Sequence, residues 1–292
     1  RLIKTGVRTA KGVAGYDLTR LFIGSEGTLG IITKIILRLV AAPKTKRTFL
    51  ILMADLARTA GLVSELLHAG LLPCTLEFMD RIAIDIVSSS LPFALPPATA
   101  ALLLVELDGD QKTVAAQADK LRRFLTDQPG LLDLKEAAGE QEVEALWAAR
   151  RGISPAAFKL KPHKMGEDVV VPRSRIPALV AFTEELNRQG DVLIFTFGHA
   201  GDGNIHVNIM LDRAQEHEVR QAETAKERLF ERVIQLGGTL SGEHGIGITK
   251  SPYLSLEFDP VSLEIMQQIK RLFDPKNILN PGKIFPCDLK RS

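Results

Sequence analysis

Cysteine is almost missing from this chain. Cys74 and Cys287 are the two present in 292 residues, too few and too isolated for a disulfide framework or an iron–sulfur cluster, so a reducing cytoplasm is the expected compartment. No apolar run approaches the roughly 20 residues needed to cross a bilayer, and the N-terminus lacks the apolar core of a signal peptide, which restricts any membrane role to the periphery. An excess of charge is missing too. Lys and Arg number 37 against 35 Asp and Glu, a net +2, and no dense basic run is interleaved with aromatics, so nucleic-acid binding has no support. The KTKR stretch at 44–47 reads as a solvated linker. What remains is 45% hydrophobic and 25% charged, ordinary for a globular protein with one large domain or two smaller ones.

Arg1 stands where an initiator Met would, and the first forty residues run through Gly-rich turns into an apolar strand pattern, which reads as a chain cut inside a domain. Residues 15–39, GYDLTRLFIGSEGTLGIITKIILRL, read as a first strand, a tight Gly-Ser-Glu-Gly-Thr turn and a long strand over 31–39. Backbone N–H groups in such a turn can cradle phosphate oxygens, although most Gly-rich turns are only turns.

Beyond Pro43 strands and helices alternate. Strands are expected over 48–53, 75–79, 100–107 and 131–135, with helices over 56–69, ended by Gly70, and 112–125. This βα, ββα, β order is the ferredoxin-like pattern. A second round begins at 168–171 and continues with a helix over 176–189, strands over 192–197 and 205–210, and a long charged helix over 213–236. The expected fold class is therefore α+β: ferredoxin-like repeats sharing one antiparallel sheet with helices on one face. The Pro-rich stretch 88–98 reads as a surface loop. Asp259-Pro260 starts a final helix that stops at Asp274-Pro275, followed by an ordered extended tail, DPKNILNPGKIF.

The chemistry concentrates in two motifs. GHAGDGNIH, at 198–206, lies between two strand patterns and reads as a hairpin turn, and residues facing each other across antiparallel strands are roughly 4.5–5.5 Å apart, which brings His199 near His206. Gly201 and Gly203 allow positive φ in the turn. SGEHG, at 241–245, offers Glu243 as a third ligand. Two neutral imidazoles and a carboxylate suit a divalent ion such as zinc or manganese with positions left for substrate. His-rich turns also serve merely to hydrogen-bond their own loop, and the pair alone leaves both readings open.

Taken together, GYDLTRLFIGSEGTLGIIT, GHAGDGNIHVN, SGEHGIG and DPKNILNPGK, in that order, resemble the FAD-linked oxidases of the vanillyl-alcohol oxidase type, within them the D-lactate, glycolate and D-2-hydroxyglutarate dehydrogenase branch. The resemblance implies an end of the FAD-binding domain at 1–43 and a C-terminal substrate domain at 44–292, with 274–286 returning towards the flavin. It implies flavin contacts at Gly24, Ser25, Glu26, Gly27, Thr28, Gly30, Ile31 and Asn280, metal ligands at His199, His206 and Glu243, and a substrate contact at Asn208. His244 matches the residue that takes the substrate proton; a histidine beside a metal-bound carboxylate can equally be an orienting group. WAARRGIS, at 147–154, resembles the segment that supplies an Arg for the substrate carboxylate and a hydroxyl four residues later, matching Arg150 and Ser154. The family's substrate Lys falls at Gly166 in strict register, with Lys164 close by as its substitute. His68, His163 and His217 carry no motif and read as surface or structural.

The function implied is oxidation of a D-2-hydroxy acid of the lactate, glycolate or 2-hydroxyglutarate type to the 2-oxo acid, with hydride passing to FAD and a divalent metal assisting deprotonation of the hydroxyl. Electrons would pass to an electron-transfer flavoprotein, a quinone or an iron–sulfur subunit, and a homodimer is possible. Two other classes stay in view: a metal-dependent hydrolase using His199, His206 and Glu243 without flavin, which leaves GSEGTLGI and the NPGK tail unexplained, and a non-catalytic subunit of an oxidase complex.

Overall fold

The structure, a computed structural model, describes residues 1–190 and 192–286; Cys287 lies outside the described residues. In chain order the elements are α1 (Leu18–Phe22), β1 (Thr45–Met53), α2 (Leu56–His68), β2 (Thr75–Asp80), α3 (Arg81–Val87), β3 (Ala101–Gly109), α4 (Gln111–Leu125), β4 (Leu131–Glu136), α5 (Glu140–Ala156), β5 (His163–Val170), α6 (Ile176–Gln189), β6 (Leu193–His199), β7 (Asn204–Leu211), α7 (Glu216–Gln235), α8 (Leu254–Glu257) and α9 (Pro260–Phe273). The chain falls into two compact units, 41–242 and 1–40 with 243–292. The divisions fall at 40/41 and at 242/243.

Residues 41–242 form the sheet unit. Its seven strands lie in the order β4-β1-β3-β2-β6-β7-β5, and the registered pairs are antiparallel. The first four strands have the 4-1-3-2 order of a ferredoxin-like unit. The second round repeats it: β6, β7 and β5 stand as 2-3-1, and an isolated antiparallel bridge from Val170 to Thr239 occupies the place of a fourth strand. The two rounds join where β2 meets β6, at Phe78↔Gly198 and Met79↔Phe197. Local sequence sets the helix starts. Asp55, Asp80 and Asp110 each precede a helix and accept N–H bonds from its first turn, the usual N-cap contribution of about 1 kcal/mol apiece.

Alternation decides which side chains face which layer. Leu50, Leu52, Met79, Leu102, Leu104, Phe195, Phe197 and Met210 stand on one face and form a core with Ala83, Ile84 and Val87 of α3 and Leu146, Ala149 and Ile153 of α5. None of that core comes from α2, α4, α6 or α7, the helices of the ferredoxin-like pattern, whose buried residues pack with the other face. Both faces are therefore covered, and α3 and α5 are additions to the expected repeat.

Three local expectations are corrected. The segment before the GSEGT turn is a helix, α1, because Asp17 caps it by accepting from the Arg20 N–H. The expected strand over 31–39 belongs to no strand and has no ladder partner among the described residues, and Ile31, Ile35, Leu37 and Leu39 are exposed. The apolar pattern is that of a strand, but a strand needs a neighbour to hold it. The stretch 88–98 is more than a surface loop, since Leu91, Phe93 and Leu95 pack against the α3/α5 core.

The turn between β6 and β7 depends on one glycine. Gly203 has φ +80°, and a Cβ placed there would stand 2.2 Å from the Val171 carbonyl oxygen. Gly203→Ala is expected to destabilise the sheet unit by at least about 1–3 kcal/mol, the usual range for backbone held in such a region, and a thermal unfolding midpoint equal to that of the parent would contradict this account of the turn.

Candidate functional site

Within the sheet unit, the candidate residues share the face that carries α3 and α5. The β6–β7 register pairs Phe197 with His206 and His199 with Asn204, so the two histidines are diagonal neighbours on one face. Their ring centroids are 5.3 Å apart with the planes at 82°. The hairpin expected from the sequence is present, and the two imidazoles meet as it requires.

Behind each imidazole stands a buried acid that sequence reasoning missed. Glu77, on β2, places Oε1 2.6 Å from His199 Nδ1. Its other oxygen accepts from Arg150, at 2.7 Å from Nε and 2.6 Å from Nη2. Burial alone would raise the Glu77 pKa, but the bond to His199 and the Arg150 charge outweigh it and hold the carboxyl below its ordinary range. Asp168, on β5, is fully buried, with Oδ1 3.7 Å from His206 Nδ1 and Oδ2 accepting from the Gly242 N–H at 3.0 Å and the Ser241 hydroxyl at 3.3 Å. The signal for both was an acid at an inward position of an otherwise apolar strand, in TLEFMD and EDVVV. Such an acid is seldom buried without a partner.

The other expected residues are placed as follows. Arg150, on α5, is buried, bonded to Glu77 and stacked on Phe197, with the guanidinium carbon 4.5 Å from the ring centre. Its charge is therefore already shared with an internal acid. Arg151, the next residue, turns outward to Glu144. Ser154 and Lys164 come together, with Lys164 Nζ donating to Ser154 Oγ at 2.6 Å, and burial lowers the Lys164 pKa. Gly166 pairs with Asn208. A Cβ on Gly166 would lie 3.5 Å from Lys164 Cε and 3.6 Å from Asn208 Oδ1, so the lysine stem runs over the glycine towards Asn208. His68 Nδ1 lies 2.7 Å from the Ser64 carbonyl and 3.3 Å from its hydroxyl, His163 Nδ1 accepts from the Arg213 N–H at 3.1 Å and stands 3.7 Å from Asp212 Oδ1, and His217 is exposed.

Glu243 follows Gly242 by one peptide link. Gly242 is bonded to Asp168, which faces His206. Two imidazoles at this spacing, each backed on Nδ1 by an acid, form a donor set that fits a divalent metal through the opposite ring nitrogens.

In the other unit, the three remaining motifs bond to one another. The Glu26 carboxylate accepts the N–H groups of Ile246 at 2.7 Å and Gly247 at 2.8 Å, tying GSEGTLG to SGEHGIG. Asn280 donates to the Glu26 carbonyl, and Lys270 donates to the carbonyls of Thr28, at 2.9 Å, and Leu279, at 2.8 Å. Glu26 and Asn280, expected to touch the flavin, thus spend their side chains holding neighbouring turns. Gly24 and Gly27 have positive φ, and no atom lies within 4 Å of where a Gly24 Cβ would be. The exposed Gly24 backbone leaves room for a planar group, whereas a Cβ on Gly27 would stand 2.8 Å from Asn280 Nδ2. His244 is exposed, 3.8 Å from the Glu243 carboxylate.

Asp274 organises the start of the tail. It accepts from the N–H groups of Ile278 and Leu279 and pairs with Lys270. Burial pulls its pKa up, but Lys270 and these two N–H groups pull it down further, to about 2. An acid whose folded pKa lies below its unfolded value stabilises the fold above the unfolded value, about 3.9 for Asp, and that contribution is lost as pH falls towards 2. Asp274→Asn is therefore expected to lower stability at pH 7 and to flatten the decline between pH 4 and 2; an unfolding curve with the same pH dependence as the parent would contradict this.

Comparison with known proteins follows the same lines. Residues 42–284 match the family described as FAD linked oxidases, C-terminal domain. The chain is 41% identical over 290 residues to glycolate oxidase subunit GlcD of Bacillus subtilis, covering 99% of this chain and 62% of that protein. It is 35% identical to a probable mitochondrial D-lactate dehydrogenase of Danio rerio, covering 96% of this chain and 56% of that protein. The chain thus spans about three-fifths of the length of these relatives. Among solved structures, p-cresol methylhydroxylase with substrate bound superposes with a TM-score of 0.73 at 15% identity, over 95% of this chain and 59% of that one. A 4-ethylphenol oxidase from Gulosibacter chungangensis gives 0.70 at 17%, over 96% and 61%. These two likenesses concern the fold. From its motifs, its sheet and its matched residues, the chain belongs to the FAD-linked oxidases and carries their C-terminal domain.

Proposed function

We propose that this chain is the catalytic portion of a flavin-dependent dehydrogenase of D-2-hydroxy acids of the lactate, glycolate or 2-hydroxyglutarate type. The observation that carries the reading is the pair of acid-backed imidazoles on the β6–β7 hairpin in a member of the FAD-linked oxidases; the named relatives, a glycolate oxidase subunit and a D-lactate dehydrogenase, support the substrate class. FAD, when bound, supplies the hydride acceptor, held by the backbone of residues 24–31 with residues 1–43 as part of its binding domain and 274–286 returning to it. A divalent ion, zinc or manganese, would be held by His199, His206 and Glu243 and would make the substrate hydroxyl more acidic.

The chain's own residues then divide the work. His244, an imidazole with a ring nitrogen that can accept, takes the hydroxyl proton. Asn208 orients the substrate oxygen, and the substrate carboxylate is received at the Arg150, Ser154 and Lys164 cluster. Within that cluster, Lys164 has no acidic partner among the described residues, whereas Arg150 has Glu77, so Lys164 is the stronger attraction for an incoming anion. The electrons leave to a separate acceptor: an electron-transfer flavoprotein, a quinone or an iron–sulfur subunit.

The test is dye reduction by the protein supplied with FAD and zinc or manganese, screened over D- and L-2-hydroxy acids. Reduction with a D-acid is expected, and failure with every hydroxy acid would overturn the reading. His199→Ala and Glu243→Ala should each cut turnover by at least about a hundredfold while far-UV circular dichroism is unchanged, since a metal contributes several kcal/mol to such a step; full activity after either change removes the metal from the reaction. Lys164→Met should raise KM by roughly tenfold to a hundredfold, the usual worth of a hydrogen bond to a charged group.

A further inference from the structure

Glu77 is held on both sides, and the identity of its partners fixes what it can do. Its Oε2 faces the Arg150 guanidinium, which can only donate hydrogen bonds. Its Oε1 lies 2.6 Å from His199 Nδ1, and an ionised carboxylate can only accept, so the imidazole hydrogen must sit on Nδ1. The opposite nitrogen, Nε2, then carries the lone pair. The same logic runs through Asp168. Its Oδ2 is occupied by the Gly242 N–H and the Ser241 hydroxyl, and its Oδ1 faces His206 Nδ1 at 3.7 Å, an electrostatic contact that favours hydrogen on that nitrogen.

We infer that Glu77, seconded by Asp168, is a positioning residue that fixes the metal-binding tautomer of the paired histidines. The inference rests on the metal reading proposed above and concerns residues that make no contact with the ion themselves. Glu77 contributes twice, because the carboxylate that orients His199 also anchors Arg150, and Arg150 lies over Phe197, the cross-strand partner of His206. Removing the negative charge without changing shape therefore has a directed result. In Glu77→Gln, the amide oxygen must turn to Arg150, which offers only hydrogens, and the NH2 group must face His199. His199 Nδ1 then has to accept, the hydrogen moves to Nε2, and the lone pair needed by a metal is gone. Asp168→Asn has the same outcome at His206, since the Gly242 N–H claims the amide oxygen.

Two measurements on the 15N-labelled chain test this, both at pH 8, above the ordinary imidazole range. Long-range 1H–15N correlation spectra should show hydrogen on Nδ1 of His199 and His206 in the parent protein, on Nε2 of His199 in Glu77→Gln and on Nε2 of His206 in Asp168→Asn. Zinc affinity, measured by competition with a chromophoric chelator, should fall tenfold to a hundredfold in each variant, the usual consequence of losing a ligand's orienting partner. Leu121→Ala, a buried change on α4, serves as the control for general destabilisation and should leave the affinity within about twofold. Should Glu77→Gln fail to fold, Asp168→Asn carries the test alone. A parent protein that binds zinc alongside variants that bind it equally well, with hydrogen still on Nδ1, overturns the positioning role and leaves the metal reading intact. A parent protein that binds no zinc overturns both.

Discussion

A sheet buried on both faces leaves very little room for charge, and that constraint organises the site. On β2, β5, β6 and β7 the face that meets α2, α4, α6 and α7 is mostly apolar, with Asp80, Glu167 and Thr196 as buried exceptions, and most of the ionisable residues stand at every second position of the other face. Glu77, Lys164, Asp168, His199, His206 and Asn208 all fall on that side by alternation alone. The added helices α3 and α5 cover the apolar part of this face, and α5 delivers Arg150 and Ser154 against the polar part. The layer beyond the ferredoxin-like repeat thus both completes the core and supplies the residues that answer the sheet's ionisable ones.

Buried charges in this unit come in matched sets. Arg150 and Glu77 are both nearly inaccessible, an arrangement that costs several kcal/mol per ion in desolvation unless both are well bonded. Here the acid is shared by two partners and the arginine also gains an aromatic face, so each polar atom of Glu77 has a donor. Asp80 illustrates the opposite balance. It accepts from Ala83 N–H and from the Thr196 hydroxyl, yet its burial dominates and pushes its pKa up to about 6. Hydrogen bonds from neutral groups do not replace a cation in a dry interior.

The long periodic elements were legible in the sequence, and so was the hairpin carrying His199 and His206, because turn glycines and alternating apolar residues are local signals. The repeat was legible as an element order; its second half lacks a full fourth strand, which only the Val170–Thr239 bridge reveals. The helix α1 was not, since Asp17 capping a five-residue helix competes in sequence with a strand-like run of apolar residues. Residues 31–39 show the converse, because strand propensity says nothing of whether a partner strand lies beside them. Glu77 and Asp168 escaped because their importance is set by partners distant along the chain, His199 and Arg150 for the first and His206 and Gly242 for the second, separations that no local pattern encodes. Glu26 and Asn280 were singled out by motif, but the same motif residues bond to each other's turns.

The join between the two half-sheets is short: two registered residue pairs link β2 to β6. His199 and His206 belong to one hairpin on one side of that join, while Glu77 reaches across it. Any slip of one half past the other would leave the spacing of the imidazoles untouched and disturb only the grip that aims the first of them. The architecture insulates the spacing of the two imidazoles from sliding and entrusts the direction of one of them to the seam.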